Sequence, residues 1–489
     1  MRKLVGVKPE RVFYHFEEIS KIPRESYHEK AISDYLVEFG KKLNLETYQD
    51  KYYNVVLRRK ATPGYENTPG IVIQGHMDMV CEKESDSNHD FRKDPIDLII
   101  DGNRLKANKT TLGGDNGIAI AMGMAILEDE SIKCGTIELL ATTSEEIDLN
   151  GALSLEPNIL KGKMLINIDS EDEGVITVGS AGGVEIDILL PIEKETLTDV
   201  NLYTLSLEKL QGGHSGVEIN QKRGNANKIL AEVLHNLKTL TDYSLVEVFG
   251  GSKDNAIPRS GKVILASSKD IKDIISKVAD EVKAKYVAFE PEMSFTLEAT
   301  TAREVSVLSK KTLDSYIKTI EEIPTGVNTW MKEYPEIVES SDNLAIVKTL
   351  DENINIIVSL RSSDPEVLNE LKDKIASILK ENNASFEFSA GYPEWKFRAE
   401  SKLREKALEV YKKLYNKDMK VEVIHAGLEC GAISQNYPDI DFISVGPNLR
   451  DVHTPSEYLE IDSTERVYNC WTYQLIKLIY WATLYSYKV

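Results

Sequence analysis

Short apolar runs alternate with helix-spaced segments through the first 180 residues, and this alternation narrows the fold more than any other property of the chain. Residues 10–20 and 28–42 carry apolar positions at helical spacing. Tyr52–Leu57, Ile71–Met79, Ile137–Thr143 and Lys163–Ile168 are strand-like, and Asn116–Glu128 is a helix pattern. Strands of this kind, alternating with helices, predict an α/β layer fold: a mixed, mostly parallel sheet flanked by helices. Polar, turn-rich stretches at 62–70 and 82–94 mark loops.

The texture changes after Gly182–Gly183. Val184–Leu190 and Tyr203–Leu207 alternate as half-exposed strands do, and a helix pattern follows at Asn225–Leu237. Helix patterns at 269–285, 312–323 and 365–380, with strands at Asn343–Lys348, Asn353–Leu360 and Ser385–Ser389, predict helices on one face of an antiparallel sheet. From about 391 the chain returns to a helix (401–415), strands (420–424 and 441–445) and a last helix (464–484). The expected plan is an α/β domain, 1–183 and 391–489, interrupted by an inserted α+β domain, 184–390.

The chain has 489 residues, with 59 Lys+Arg against 79 Asp+Glu and a formal net charge of −20. That balance argues against a general nucleic-acid or anionic-membrane binder. No apolar run approaches the ~20 residues that span a bilayer, and the N-terminal segment lacks a secretory h-region. Four cysteines, Cys81, Cys134, Cys430 and Cys470, are widely spaced without a C-x-x-C pair, as expected of a protein in a reducing cytoplasm.

Among the eight histidines, His76 lies at the end of the run Ile71–Met79, two residues from Asp78. Period-2 geometry puts these two side chains on one face, at a strand end where open α/β sheets place their ligands. Leu112-Gly-Gly-Asp-Asn-Gly117 precedes a helix pattern, and Asp115 there reads as a helix cap or as a ligand. Glu145 and Glu146 follow the next strand, Asp169 follows another, and His453 lies in Asp451–Glu457. His76, Asp115, Glu146, Asp169 and His453 together supply two imidazoles and three carboxylates. With one hydroxide, the carboxylates balance two divalent cations, so the set fits a two-metal site. Asp78 is then available to hydrogen-bond a ligating histidine, and Glu145 to take a proton from the attacking water.

The successive motifs GHMDMV, GGDNG, TTSEEID, NIDS and DVHTPSE resemble those of the M20 family of metallopeptidases, nearest to its aminoacyl-histidine (Xaa-His) dipeptidase branch. The resemblance spans nearly the whole chain. It implies a zinc-binding α/β catalytic domain with an inserted lid domain, holding two Zn(2+), with manganese and cobalt as the alternative ions. It implies His76, Asp115, Glu146, Asp169 and His453 as ligands with Asp115 bridging, Glu145 as general base and Asp78 as the acid beside His76. The implied reaction is hydrolysis of unblocked dipeptides by a metal-bridging hydroxide.

In the inserted segment, Gly212-Gly-His-Ser-Gly216 resembles a family motif whose histidine, His214, serves the oxyanion. Asn255 and Arg361 resemble residues that hold a substrate carboxylate, and Glu429 a residue that either meets the substrate α-ammonium or shapes its loop. The further histidine that family members often contribute, sometimes from a neighbouring subunit, has no counterpart in Arg223–Lys228; the next is His235. The expected partner is a dipeptide, without nucleic acid or membrane, and a homodimer through the lid is compatible with the resemblance. The rival readings are another M20 amide hydrolase, such as a tripeptidase or an N-acyl amino-acid deacylase, and a catalytically silent metal-binding interaction protein. Asp78 and Glu145 speak against the last, because binding alone does not require them.

Overall fold

The strand Ile71–His76 is flanked on both sides by parallel neighbours, Ile137–Thr142 and Met164–Asn167. In the computed structural model, which describes residues 2–332 and 334–470, these strands form the middle of an eight-stranded mixed sheet. Its order is Glu46–Gln49, Val55–Arg59, Ile137–Thr142, Ile71–His76, Met164–Asn167, Asp441–Ser444, Val175–Ser180, Lys420–Ile424. The centre is parallel, and antiparallel pairs lie to either side. Every residue of Ile71–His76 and Ile137–Thr142 is buried, which is why these strands read as mainly apolar runs without strict alternation.

Two helices show how pattern becomes packing. Glu10–Ile19 buries Val12, Phe13, Phe16 and Ile19, one apolar stripe at helical spacing. Gly114–Glu128 is apolar all round and buried from Gly117 to Leu127. A small sheet of Leu449–Arg450, Tyr458–Glu460, Arg104–Ala107 and Leu98–Asp101 ties the loop that carries His453 to the N-terminal region.

The chain divides into two compact units. Of the described residues, one unit comprises those up to Ser180, Phe397–Val423 and those from Leu428 to Cys470; the other is Ala181–Lys396 with Ile424–Gly427. The sequence placed the divisions at 183/184 and 390/391. Residues just past 390 fall in the second unit because Tyr392 exchanges backbone hydrogen bonds with Gly183, both at 2.9 Å.

The second unit is built on a nine-stranded sheet whose pairs are antiparallel. Helices Ala226–Lys238, Lys272–Tyr286, Lys310–Glu322 and Pro365–Glu381 share one core with Val184, Ile186, Val358 and Leu360. Alternation then turns Glu185, Ser359 and Arg361 to the other face. The strand Ser294–Leu308 has no counterpart in the sequence reading. It is an edge strand paired to Lys194–Glu208, mostly exposed and rich in Thr and Glu, so no apolar pattern marks it. The expected helix at 464–484 corresponds to Ile461–Val467; the part beyond residue 470 lies outside the described residues. No helix among the described residues is long and apolar enough to cross a membrane.

Candidate metal centre

His76 is the last residue of its strand and is buried, with its two nitrogens turned to different acids. Nδ1 lies 3.3 Å from Asp78 Oδ1, and Nε2 lies 3.0 Å from Asp115 Oδ1 and 3.6 Å from Asp169 Oδ1. The second oxygen of Asp115 lies 3.2 Å from His453 Nε2, which is also 2.9 Å from Glu146 Oε2. Asp115 therefore sits between two imidazoles, with Asp169 on the side of His76 and Glu146 on the side of His453. Glu145 Oε2 is farther out, 3.9 Å from His76 Nε2. The structure thus brings seven of the expected acids and histidines of this unit together, His76, Asp78, Asp115, Glu145, Glu146, Asp169 and His453.

Local folding explains the positions. The turn before Gly114–Glu128 needs a left-handed residue, Gly113 at φ 66°, and the helix start has no side-chain cap. Instead Glu457 accepts the N–H groups of Leu112, Gly113, Gly114 and Asp115 at 2.7–3.3 Å. Asp115 is not needed as a cap, so its carboxylate is free to face the imidazoles. Asp78 accepts from Ser26 Oγ (2.7 Å) and from the backbone N–H groups of Glu145 (3.2 Å) and Glu146 (3.3 Å). One carboxylate thus faces the His76 ring and accepts both N–H groups at the start of the segment bearing the two glutamates.

The sequence reading missed Arg24 and Glu457. Arg24 is buried and donates to the carbonyls of Met77, Asp78 and Gly113 at 2.6–3.1 Å, joining the His76 strand end to the Asp115 turn. No motif marks Arg24. Glu457 closes the DVHTPSE segment, but its partners are backbone amides far away in sequence, which no motif reveals.

The electrostatics suit a cation. Burial pulls the His76 imidazole down, but the Asp169 charge and the oxygens of Asp115, Asp169 and Asp78 raise it well above the histidine range. Hydrogen bonds that His453 donates to Asp115 and Glu146 push it up to about 11. Burial, aided by the charges of Asp169, Glu146 and Glu429 against the pull of His76, raises Glu145 well above the carboxylate range. Donors at these spacings bind either protons or a metal. His76, Asp115 and Glu146 each offer a ligand atom, all within 4.8 Å of one another. Glu146 Oε1 is buried with no hydrogen-bond partner among the described residues, a cost of about 1–3 kcal/mol that ligation removes. The imidazole and carboxylate donors fit a divalent cation of the zinc type.

A row of buried polar side chains crosses the strands behind this cluster. Ser444 donates to Asn167, Asn167 to Gln74 (2.6 Å), and Gln74 to Glu429 Oε2 (2.6 Å), which also accepts from Thr142 (2.8 Å). Glu429 is buried, and burial raises it to about 8. Its other oxygen, Oε1, has no partner among the described residues.

In the second unit, the turn at His214 pairs with the loop at Asn255. His214 and Ala256 form a β-bridge, and Ser215 N donates to Asn255 O at 2.9 Å. His214 Nδ1 accepts the N–H groups of Gly216 (3.0 Å) and Val217 (3.2 Å). Nδ1 is thereby occupied as an acceptor, which leaves Nε2 as the nitrogen that carries a proton; burial and the charge of Arg361 lower the pKa of the ring. Arg361 is buried and lies opposite Gly183 on one neighbouring strand and Ser341 on the other.

Acids and imidazoles converging at the ends of parallel strands in an α/β unit define a metal-dependent hydrolase. The model of peptidase family M20/M25/M40 matches residues 72–477, and the chain belongs to that family of peptide-bond hydrolases. It is 35% identical over 488 residues to the cytosol non-specific dipeptidase of Escherichia coli (strain K12), covering 98% of this chain and 99% of that one. The crystal structure of aminoacylhistidine dipeptidase from Vibrio alginolyticus superposes with a TM-score of 0.87 at 33% identity, covering 98% of each chain. An aminopeptidase, PepT, from Bacillus cereus shares the fold at 16% identity and a TM-score of 0.57, over 97% of this chain and 99% of that one.

Proposed function

We propose that this peptidase is a dinuclear zinc dipeptidase that hydrolyses unblocked dipeptides, those ending in histidine among them. The observation that carries the reading is Asp115, whose two oxygens face His76 and His453 separately at 3.0 and 3.2 Å. That geometry suits a carboxylate shared by two ions, with Asp169 and Glu146 as terminal ligands. The names and full-length similarity of the Escherichia coli and Vibrio relatives support the substrate class. When bound, the two ions acidify a water and polarise the scissile carbonyl.

The chain's own residues do the rest. Glu145 takes the proton of the attacking water and delivers it to the leaving amine; its buried, raised carboxyl suits a group that must hold a proton in transit. His214 donates Nε2–H to the developing oxyanion. Asn255 and Arg361 hold the C-terminal carboxylate, and Glu429 Oε1 accepts from the α-ammonium. Asp78 keeps His76 oriented. The same reading assigns 1–183 and 391–489 to catalysis and 184–390 to an inserted lid, with a homodimer through that lid. It places the protein in the cytoplasm, in keeping with four free cysteines.

The test is hydrolysis of a dipeptide beside its C-terminal amide. The free acid should be cleaved far faster, and Arg361→Ala should remove most of the difference by lowering activity on the free acid alone. Equal cleavage of both by the wild type would leave a broader M20 amide hydrolase as the better reading. Preference for an N-acylated substrate would indicate a deacylase.

A further inference from the structure

Arg361 carries the proposed recognition of the substrate carboxylate, and its guanidinium is held by a residue outside every motif. Arg361 Nη1 donates to Tyr392 Oη at 2.6 Å. The tyrosine ring occupies a slot made by two absent side chains. A Cβ on Gly183 would lie 2.5 Å from Tyr392 Cζ, and one on Gly427 would lie 2.7 Å from Cε2. Backbone hydrogen bonds in both directions between Tyr392 and Gly183 fix the ring's base. Gly183 is also the residue opposite Arg361 on the neighbouring strand. Slot, backbone pairing and strand register thus hold the phenol against the guanidinium.

The chemistry is specific. The phenol oxygen spends a lone pair on Arg361 and retains its own proton, since burial keeps its pKa above the usual tyrosine value. That O–H has no acceptor among the described residues. A phenol that accepts from a guanidinium and has a free O–H is suited to donate, beside the guanidinium, to a carboxylate.

We propose that Tyr392 is a specificity-determining residue of this peptidase: it fixes the Arg361 fork and adds its own O–H to the recognition of the substrate's C-terminal carboxylate. The inference rests on the carboxylate role given above to Arg361. A hydrogen bond to a charged group contributes enough for roughly a ten- to hundredfold effect.

The experiment compares kcat and KM of the metal-loaded wild type, Tyr392→Phe and Gly427→Ala on a free dipeptide and its C-terminal amide. Tyr392→Phe keeps the ring in its slot and deletes only Oη. It should raise KM for the free acid by about tenfold or more, leave its kcat within a few fold, and leave the amide unaffected. Gly427→Ala, which displaces the ring, should shift the free-acid to amide ratio in the same direction. A wild type that does not discriminate acid from amide would remove the carboxylate reading itself. A discriminating wild type whose ratio survives Tyr392→Phe would overturn the role of Tyr392 while leaving that of Arg361. Equal losses on both substrates would reduce Tyr392 to a packing residue and also overturn the proposal.

Discussion

Asp78 Oδ1 faces His76 Nδ1 at 3.3 Å, on the side of the ring opposite the nitrogen that points to Asp115 and Asp169. The same carboxylate accepts the N–H groups of Glu145 and Glu146. Asp78→Ala should therefore release an imidazole and a pair of glutamates together. Titration of the apoprotein with zinc against a competing chelator should show affinity reduced about 10–100-fold, the usual effect of losing a group that orients a ligand. Unchanged affinity would mean that packing alone orients the ring.

Glu145 lies in the cluster but farther from His76 Nε2 than Asp115 or Asp169 does. Glu145→Gln should keep the full metal content while kcat falls by at least ~10²-fold, the scale of general acid–base catalysis. Elemental analysis separates the outcomes: loss of one metal equivalent would make Glu145 a ligand instead of a base.

Asp115 faces both imidazoles, whereas Asp169 and Glu146 each stand close to one. Asp115→Ala should weaken binding of both equivalents, and Asp169→Ala or Glu146→Ala mainly one. Isothermal titration distinguishes one lost binding step from two.

His425 offers a test by pH. It is buried with Nε2 2.7 Å from Ser341 Oγ, and burial, with the charge of Arg361, lowers its pKa to about 3. The unfolded chain protonates it near 6.5. Its contribution to stability is therefore fully present above about pH 6.5 and is lost as pH falls towards 3. The wild type should lose on the order of 1–3 kcal/mol over that window that a His425→Gln variant does not lose. Urea unfolding midpoints measured at several pH values would read the difference. Parallel pH profiles for the two proteins would show that His425 is not the titrating group.

Part of the acid and histidine cluster was legible in the sequence because its members close apolar runs: His76 a strand end, Glu145 and Glu146 another, Asp169 a third. Asp115 and His453 stood out only through their turn motifs. Period and burial alone bring such ends to one edge of a parallel sheet. The groups that aim them were not legible. Arg24 acts through three carbonyls and Glu457 through four amides, and neither backbone partner leaves a side-chain signature. Tyr392 was hidden similarly, since its slot is defined by Gly183 and Gly427, far away in sequence. The strand Ser294–Leu308 escaped because an exposed edge needs no apolar alternation.

The bonds from the turn at 112–115 to Glu457 set a timetable for the protein's birth. His76, Asp115, Glu146 and Asp169 emerge from the ribosome early, yet the turn that aims Asp115 waits for a carboxylate some 340 residues downstream. Until that segment has been translated and has docked, the nascent chain lacks both the second imidazole and the anchor of the shared aspartate. Assembly of the whole cluster of acids and imidazoles is thus a property of the finished polypeptide, since its last two members, His453 and the Glu457 anchor, arrive only with the C-terminal segment.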